Sequence, residues 1–250
     1  MTSFQLEDNE RIDDLYCQGL KVIQSTSAPG FSIDAILLAD FVKLQKRERL
    51  IDLGTGTAVI PLLLAAKEPK CRIQALELMP AMAAMARRSV ILNGLNEQIQ
   101  VQEGDIRQAA ELYGRAAFDV AVSNPPYYKV GAGKVSSDPL RAAARSESFC
   151  SLSELLDTAA ALLKPLGRFY VVHRAERLEE LLVSAEKRRL HCCRLRMVHP
   201  RAEKEANLLL AQFSLGRRGQ LHVEAPLMVY QAENIYSDEM KLIYMGRGED

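Results

Sequence analysis

At 250 residues and 48% hydrophobic composition, the chain can bury a sizeable core in one large domain, or in one domain with a modest appendage. Its 32 basic and 32 acidic residues cancel, which excludes a chain-wide electrostatic pull toward nucleic acid or membrane and leaves any basic face local. Cys17, Cys71, Cys150, Cys192 and Cys193 show no CxxC or Cys/His ligand spacing, so free thiols in a reducing compartment are expected rather than disulfides or a metal site. The N-terminal MTSFQLEDNERIDD is acidic where a signal peptide is basic and then apolar. No apolar run approaches the ~20 residues of a membrane span, and a cytoplasmic protein without membrane contact is expected.

Short β-rich runs alternate with helical patterns, a rhythm that predicts a parallel sheet wrapped by helices. A helix is expected over Ala35–Phe41, followed by a strand near Arg49–Leu53 and a helix in AVIPLLLAAKEP that stops near Pro69. A second strand, Arg72–Glu77, precedes PAMAAMARRSVILNGL, whose proline suits a first helical turn and whose Asn93-Gly94 suits an end. Further strands are expected near Gln98–Gln102, Phe118–Ser123 and Gly167–His173. The apolar-striped helix Leu152–Leu163 ends at Lys164-Pro165-Leu166-Gly167. His191–His199 and Asn207–Ser214 read as a hairpin closing the sheet's edge.

The first chemical signal is Ile51-Asp52-Leu53-Gly54-Thr55-Gly56-Thr57-Ala58, a strand turning through glycines into a helix. Glycines at 54 and 56 let the backbone approach a ligand, and the following helix offers free amides, which points to a nucleoside cofactor. A dinucleotide fingerprint would need glycine at 59, where Val59 stands. Glu77 ends the second strand, where an acid can accept from both ribose hydroxyls, and Asp105 in EGDI follows the third. Singly, such residues make turns and caps. In this order they mark the carboxyl ends of consecutive parallel strands, where open α/β sheets bind ligands.

IDLGTGTA, Glu77, GDI and SNPPY in this order resemble the class I S-adenosylmethionine-dependent methyltransferases. The resemblance implies a Rossmann-like α/β fold with a seven-stranded, mostly parallel sheet whose last strand is antiparallel. It implies an N-terminal extension over 1–30 and the methyltransferase domain over 31–250. By it, Asp52, Gly54 and Gly56 would surround the methionine part of S-adenosylmethionine, Glu77 with Leu78 would bind the ribose, and Asp105 with Ile106 would hold the adenine. FSIDAILLA resembles a segment that covers the cofactor in one branch, which offers Asp34 as a polar contact; capping of the adjoining helix is an equal reading of Asp34.

The apolar run Phe118–Val122 meets Asn124-Pro125-Pro126-Tyr127. An exocyclic amino nitrogen on a ring is a poor nucleophile because its lone pair is delocalised, so a catalyst must favour the pyramidal form reached in the transition state. The Asn124 side-chain oxygen and the Pro125 carbonyl can accept both amino hydrogens, on a backbone whose shape the prolines fix. Tyr127 offers a face for stacking an extruded base. A sulfonium methyl is already electrophilic, so this chemistry asks for positioning and no metal. By resemblance, Asn124 also borders the cofactor.

The motif names a planar amino nitrogen and not its carrier: DNA adenine, rRNA guanine, tRNA adenine and protein glutamine enzymes share it. About fifty residues before Asp52 leave little room for the helical domain usual in glutamine-N5 enzymes of release factors, and the chain has none for a DNA target-recognition domain. From Lys187 to Arg218 nine basic residues face two acids, as phosphate-binding surfaces do. Arg194, Arg196 and Arg201 from this run, with Tyr128, Arg141 and Arg145 from the long stretch 128–148, are candidate RNA contacts. His173 and His199 read as structural or RNA-facing, because methyl transfer needs no strong base first.

FSIDAILLADF, DLGTGTAVIPLLLA, SNPPYYKVG, AARSE, LLKPLGRFYVVHRAERL, MVHPRAEKEANLLL and PLMVYQAENIYSDEM resemble the bacterial tRNA1(Val) adenine-N6 methyltransferase family over nearly the whole chain. That resemblance implies methylation of the adenosine 3′ of the anticodon. Thr57-Ala58 departs from the Asn-Gly that many relatives carry. Glutamine-N5 and guanine-N2 transfer stay open as alternatives.

Overall fold

The computed structural model describes residues 6–15, 17–27, 30–125 and 150–245. An antiparallel hairpin, β1 (Glu10–Asp14) and β2 (Lys21–Ser25), comes first. The alternating core follows as α1 (Ile33–Phe41), β3 (Arg49–Leu53), α2 (Val59–Lys67), β4 (Arg72–Glu77), α3 (Pro80–Leu92) and β5 (Ile99–Glu103). A 3-10 turn, Ile106–Gln108, and the short α4 (Ala109–Tyr113) lead to β6 (Phe118–Ser123). Then come α5 (Leu152–Leu162), β7 (Leu163–Arg174), α6 (Leu178–Glu186), β8 (Leu190–His199) and β9 (Leu208–Leu215). Two short strands, β10 (His222–Val223) and β11 (Leu227–Met228), precede a small hairpin, β12 (Tyr230–Ala232) and β13 (Ile235–Tyr236), and α7 (Asp238–Met245).

The main sheet runs β5-β4-β3-β6-β7-β9-β8-β10, with β11 also on β8. Strands β3 to β7 are parallel, and β9 lies antiparallel between β7 and β8. The expected seven strands are present, the last of them antiparallel, and β10 with β11 extend the sheet to nine. Alternate residues along each central strand feed two cores, as a pleat requires. Leu50, Val120, Val122, Tyr170 and Val172 pack toward α1, α2 and α3, whereas Ile51, Leu53, Ala121, Phe169 and Val171 pack toward α5 and α6. With both faces covered, the strands read as continuous apolar runs. Among the described residues no helix is long and apolar enough to cross a membrane.

Helix ends follow local chemistry. Pro80 opens α3, and Ser151 with Glu154 forms a reciprocal capping box on α5. Several expectations need correction. Strand β5 is shifted by one residue, and β7 begins at Leu163 rather than Gly167. Leu163 pairs with Phe118, and the register then jumps to Val120 with Arg168, so Lys164-Pro165-Leu166-Gly167 is a bulge inside a strand. Gly167 is required there: a Cβ would lie 2.8 Å from the Lys164 carbonyl oxygen. Helix α6 and everything after β9 lie beyond the elements expected from the sequence. The β1–β2 hairpin is fixed to α3: Glu10 pairs bidentately with Arg88, Ile23 N–H donates to Ser89 Oγ at 2.9 Å, and Asn93 exchanges hydrogen bonds with the Lys21 backbone.

Candidate active site

The chain leaves β3 toward β4 and β5 on one side and crosses to β6 and β7 on the other, so β3 and β6 flank the topological switch point where such sheets bind ligands. Ser123 fastens the two strand ends together: its hydroxyl donates to the Leu53 carbonyl at 2.7 Å, fully buried. The next residues, Asn124 and Pro125, therefore emerge beside Leu53 and Gly54. These line one cleft with Ile106 and His173.

On the β3 side, Gly54 and Thr55 both donate their N–H to the Leu76 carbonyl, at 2.9 and 3.0 Å, folding the loop over the end of β4. Gly54 and Gly56 have φ of +79° and +60°, which explains glycine at both. Ala58 has φ of +72° without being glycine, a conformation that a side chain rarely adopts.

Two acids meet at this loop. Asp52 is fully buried, and among the described residues neither carboxylate oxygen completes a hydrogen bond of ordinary geometry. Burial pushes its pKa from 3.8 up to about 7; the nearby Thr55 hydroxyl opposes the rise and the charge of Glu77 adds to it. Glu77 is also buried, and accepts from Gly56 N–H at 2.8 Å and Met79 N–H at 2.9 Å. Desolvation raises its pKa while those amides pull it back. A buried carboxylate with no cationic partner among the described residues, beside a glycine cradle, suits a ligand that carries a cationic amino group.

The other candidate residues are placed as follows. Leu78 sits half-buried directly after Glu77. Ile106 packs over the loop, 3.7 Å from where a Cβ on Gly54 would be. Asp105 is engaged by protein: it accepts from Arg107 N–H at 2.9 Å, capping the 3-10 turn, and pairs with the Arg107 guanidinium, which holds its carboxyl below the usual range. Asp34 lies half-buried in the first turn of α1, whose N-cap is Ser32. Tyr127, Tyr128, Arg141 and Arg145 lie outside the described residues.

The basic run corrects an expectation. Arg194 is buried with its guanidinium 3.6 Å from the Phe41 ring centroid, paired with Glu224 at 2.8 Å and bonded to Gln212. Arg196 is held by Glu239 at 2.7 Å and the Ala225 carbonyl at 2.9 Å. Both face protein groups instead of a phosphate. The run also divides: β8 spans ten residues, about 30 Å of strand, so Lys187–Arg189 and Arg217–Arg218 lie at the end of the sheet away from the cleft. Arg201 and Lys204 occupy the β8–β9 turn on the cleft side, and among the described residues the Arg201 guanidinium has no ion-pair partner.

Sequence reasoning missed three contributors. Ser123 carries no signal until β3 and β6 are known to be neighbours. Gln24 reaches the loop from the hairpin and donates its amide to Thr57 Oγ1. His173 was read only as structural or RNA-facing, and it lines the cleft beside Asn124. Its Nδ1 accepts from Arg174 N–H at 2.9 Å, and burial, with the Arg177 charge, pushes its pKa down to about 4, so the ring is neutral at pH 7.

Comparison with known proteins agrees with this architecture. Residues 30–188 match the methyltransferase small domain family. The tRNA1(Val) (adenine(37)-N6)-methyltransferase of Aeromonas hydrophila is 33% identical over 206 residues, 82% of this chain and 84% of that protein. A predicted O-methyltransferase from Agrobacterium tumefaciens superposes with a TM-score of 0.70 at 24% identity, covering 87% of this chain and 98% of that one. The geranyl diphosphate C-methyltransferase of Streptomyces coelicolor, solved with S-adenosyl-L-homocysteine, gives 0.54 at 12% identity over 73% of this chain and 79% of its own. A sheet with its switch point at Gly54 and Asn124, a family match over most of the chain and a relative one-third identical over four-fifths of both chains together place the chain in the methyltransferase small domain family, among the relatives of the tRNA1(Val) (adenine(37)-N6)-methyltransferases.

Proposed function

We propose that this methyltransferase transfers the methyl group of S-adenosylmethionine to the exocyclic N6 of an adenine in tRNA, at the adenosine 3′ of the anticodon of tRNA1(Val). The observation that carries the reading is the sharing of one cleft by Gly54 of the cofactor loop and Asn124-Pro125. When bound, the cofactor supplies an electrophilic methyl on a sulfonium. Asp52 and the Gly54–Gly56 turn hold its amino-acid part, Glu77 with Leu78 receives the ribose hydroxyls, and Ile106 packs on the adenine. The Asn124 side-chain oxygen and the Pro125 carbonyl accept the two amino hydrogens of the target base, favouring the pyramidal nitrogen of the transition state. Ser123 keeps those acceptors in register with the loop. After transfer the surplus proton leaves to water, and no strong base is required; His173, neutral at pH 7, shapes the wall. A cytoplasmic location follows from a tRNA substrate.

The test is incubation of the protein with isotopically labelled S-adenosylmethionine and total tRNA from a strain lacking it, followed by nucleoside mass spectrometry. Label in N6-methyladenosine from tRNA1(Val) is the expected result. Label in another nucleoside, or only in a release-factor glutamine, would overturn the substrate assignment.

A further inference from the structure

The cofactor loop is not secured by its own residues alone. Gly56 N–H is held by Glu77, and Met82 Cε would lie 3.8 Å from a Cβ at Gly56. Gly54 and Thr55 are held on the Leu76 carbonyl, and a further anchor, at Thr57, comes from the N-terminal hairpin, which precedes the residues matched by the family. Gln24 on β2 donates its amide to Thr57 Oγ1, with each residue only 5% exposed. The strand that carries Gln24 is fixed: Val22 and Ile23 are fully buried, and Ser89, Asn93 and Arg88 of the α3 region bind the hairpin backbone and Glu10. Thr57 immediately precedes Ala58, whose left-handed backbone resists a Cβ. A tether on Thr57 therefore acts on the residue pair at which the turn is least self-sustaining.

We propose that Gln24 is a positioning residue for the cofactor loop. Through Thr57 it holds the Gly56–Ala58 turn in the form that keeps Gly56 on Glu77 and the cradle open to the methyl donor. It sets the affinity for S-adenosylmethionine and leaves the transfer step itself to Asn124 and Pro125. The inference rests on the methyl-donor reading above and extends it to a segment outside the family match.

The experiment measures S-adenosylmethionine binding by calorimetry, and KM against kcat with saturating tRNA, for wild type, Gln24→Leu, Thr57→Val, Thr57→Ser and the Gln24→Leu/Thr57→Val double variant. Loss of one buried hydrogen bond is expected to raise Kd and KM for the methyl donor roughly tenfold in Gln24→Leu and in Thr57→Val. Thr57→Ser, which keeps the hydroxyl, should bind like wild type. Because the two single changes remove one interaction, the double variant should be no weaker than either, with kcat within about twofold throughout. Wild-type affinity in Gln24→Leu, full additivity, or a fall in kcat at unchanged KM would overturn the inference. Should Gln24→Leu fail to fold, Thr57→Val against Thr57→Ser decides alone. Failure of the wild-type chain itself to bind S-adenosylmethionine is a separate result that removes the methyl-donor reading, and this inference with it.

Discussion

Asp52→Asn isolates the energetic consequence of the buried acid. Burial lifts the Asp52 carboxyl from 3.8 to about 7, so between these values the folded chain retains a proton that the unfolded chain has lost. The sign is therefore unfavourable to folding as pH rises: no penalty well below pH 4, and a full penalty above pH 7. About three pH units at 1.36 kcal/mol each makes that penalty roughly 4 kcal/mol. Part of it is already present at pH 5, so the interval from pH 5 to pH 8 exposes about 2.5 kcal/mol. Asparagine keeps the shape and has no proton to exchange. Urea unfolding of the cofactor-free protein at pH 5 and pH 8 should show wild type losing about 2.5 kcal/mol more than Asp52→Asn over that interval. On the proposed reading, saturating S-adenosylmethionine should shrink the difference, because its ammonium would compensate the carboxylate. Parallel pH dependence of the two proteins would refute the account of Asp52 as a buried, uncompensated acid.

Asn124→Ala should leave folding and most tRNA binding intact while slowing single-turnover methyl transfer by ~10²–10³, since it removes an acceptor needed most in the transition state. Glu77→Ala should weaken S-adenosylmethionine binding by ~1–3 kcal/mol in calorimetry, because both the ligand hydroxyls and the Gly56 and Met79 amides lose their acceptor. Ala58→Gly relieves a left-handed alanine and should raise stability by about 0.5–1 kcal/mol in denaturant unfolding, with the greater freedom of glycine in the unfolded chain limiting the gain. Arg201→Ala should lower the salt slope of tRNA binding by roughly 0.7–0.9, whereas Arg196→Ala, whose partner is Glu239, should lower the melting temperature and leave the slope alone.

Where apolar runs end abruptly in glycine, an acid or an amide, as at Leu53, Glu77 and Ser123-Asn124, strand limits and the switch-point residues were legible to the residue. Those strands are buried on both faces, so composition alone outlines them. Lys164-Pro165-Leu166-Gly167 misled because a bulge and a turn use the same residues, and only the pairing of Leu163 with Phe118 distinguishes them. The hairpin was hidden by the polar strand Glu10-Arg11-Ile12-Asp13-Asp14, which is held by its ladder with β2 and by Arg88 on a distant helix. Arg194 looked like a surface charge because its neighbours in space, Phe41, Gln212 and Glu224, are far from it in sequence. Asp105 was read as a ligand contact, and in this structure its carboxylate caps a turn, the ordinary task of an acid after a strand.

The insertion of β9 between β7 and β8 dictates an order of assembly. Strand β8 leaves the ribosome before β9, yet it can join the sheet only through β9, since it makes no pair with β7. During synthesis the β3–β7 platform can close while the β8 segment hangs from α6 with both hydrogen-bonding edges bare. The two long antiparallel ladders, β7 with β9 and β8 with β9, must then form together once residue 215 has emerged. A nascent chain halted with residue 205 just clear of the ribosome should therefore carry a structured platform and a protease-sensitive tail, and should become resistant in a single step once some ten more residues have emerged, without a ladder completed by halves.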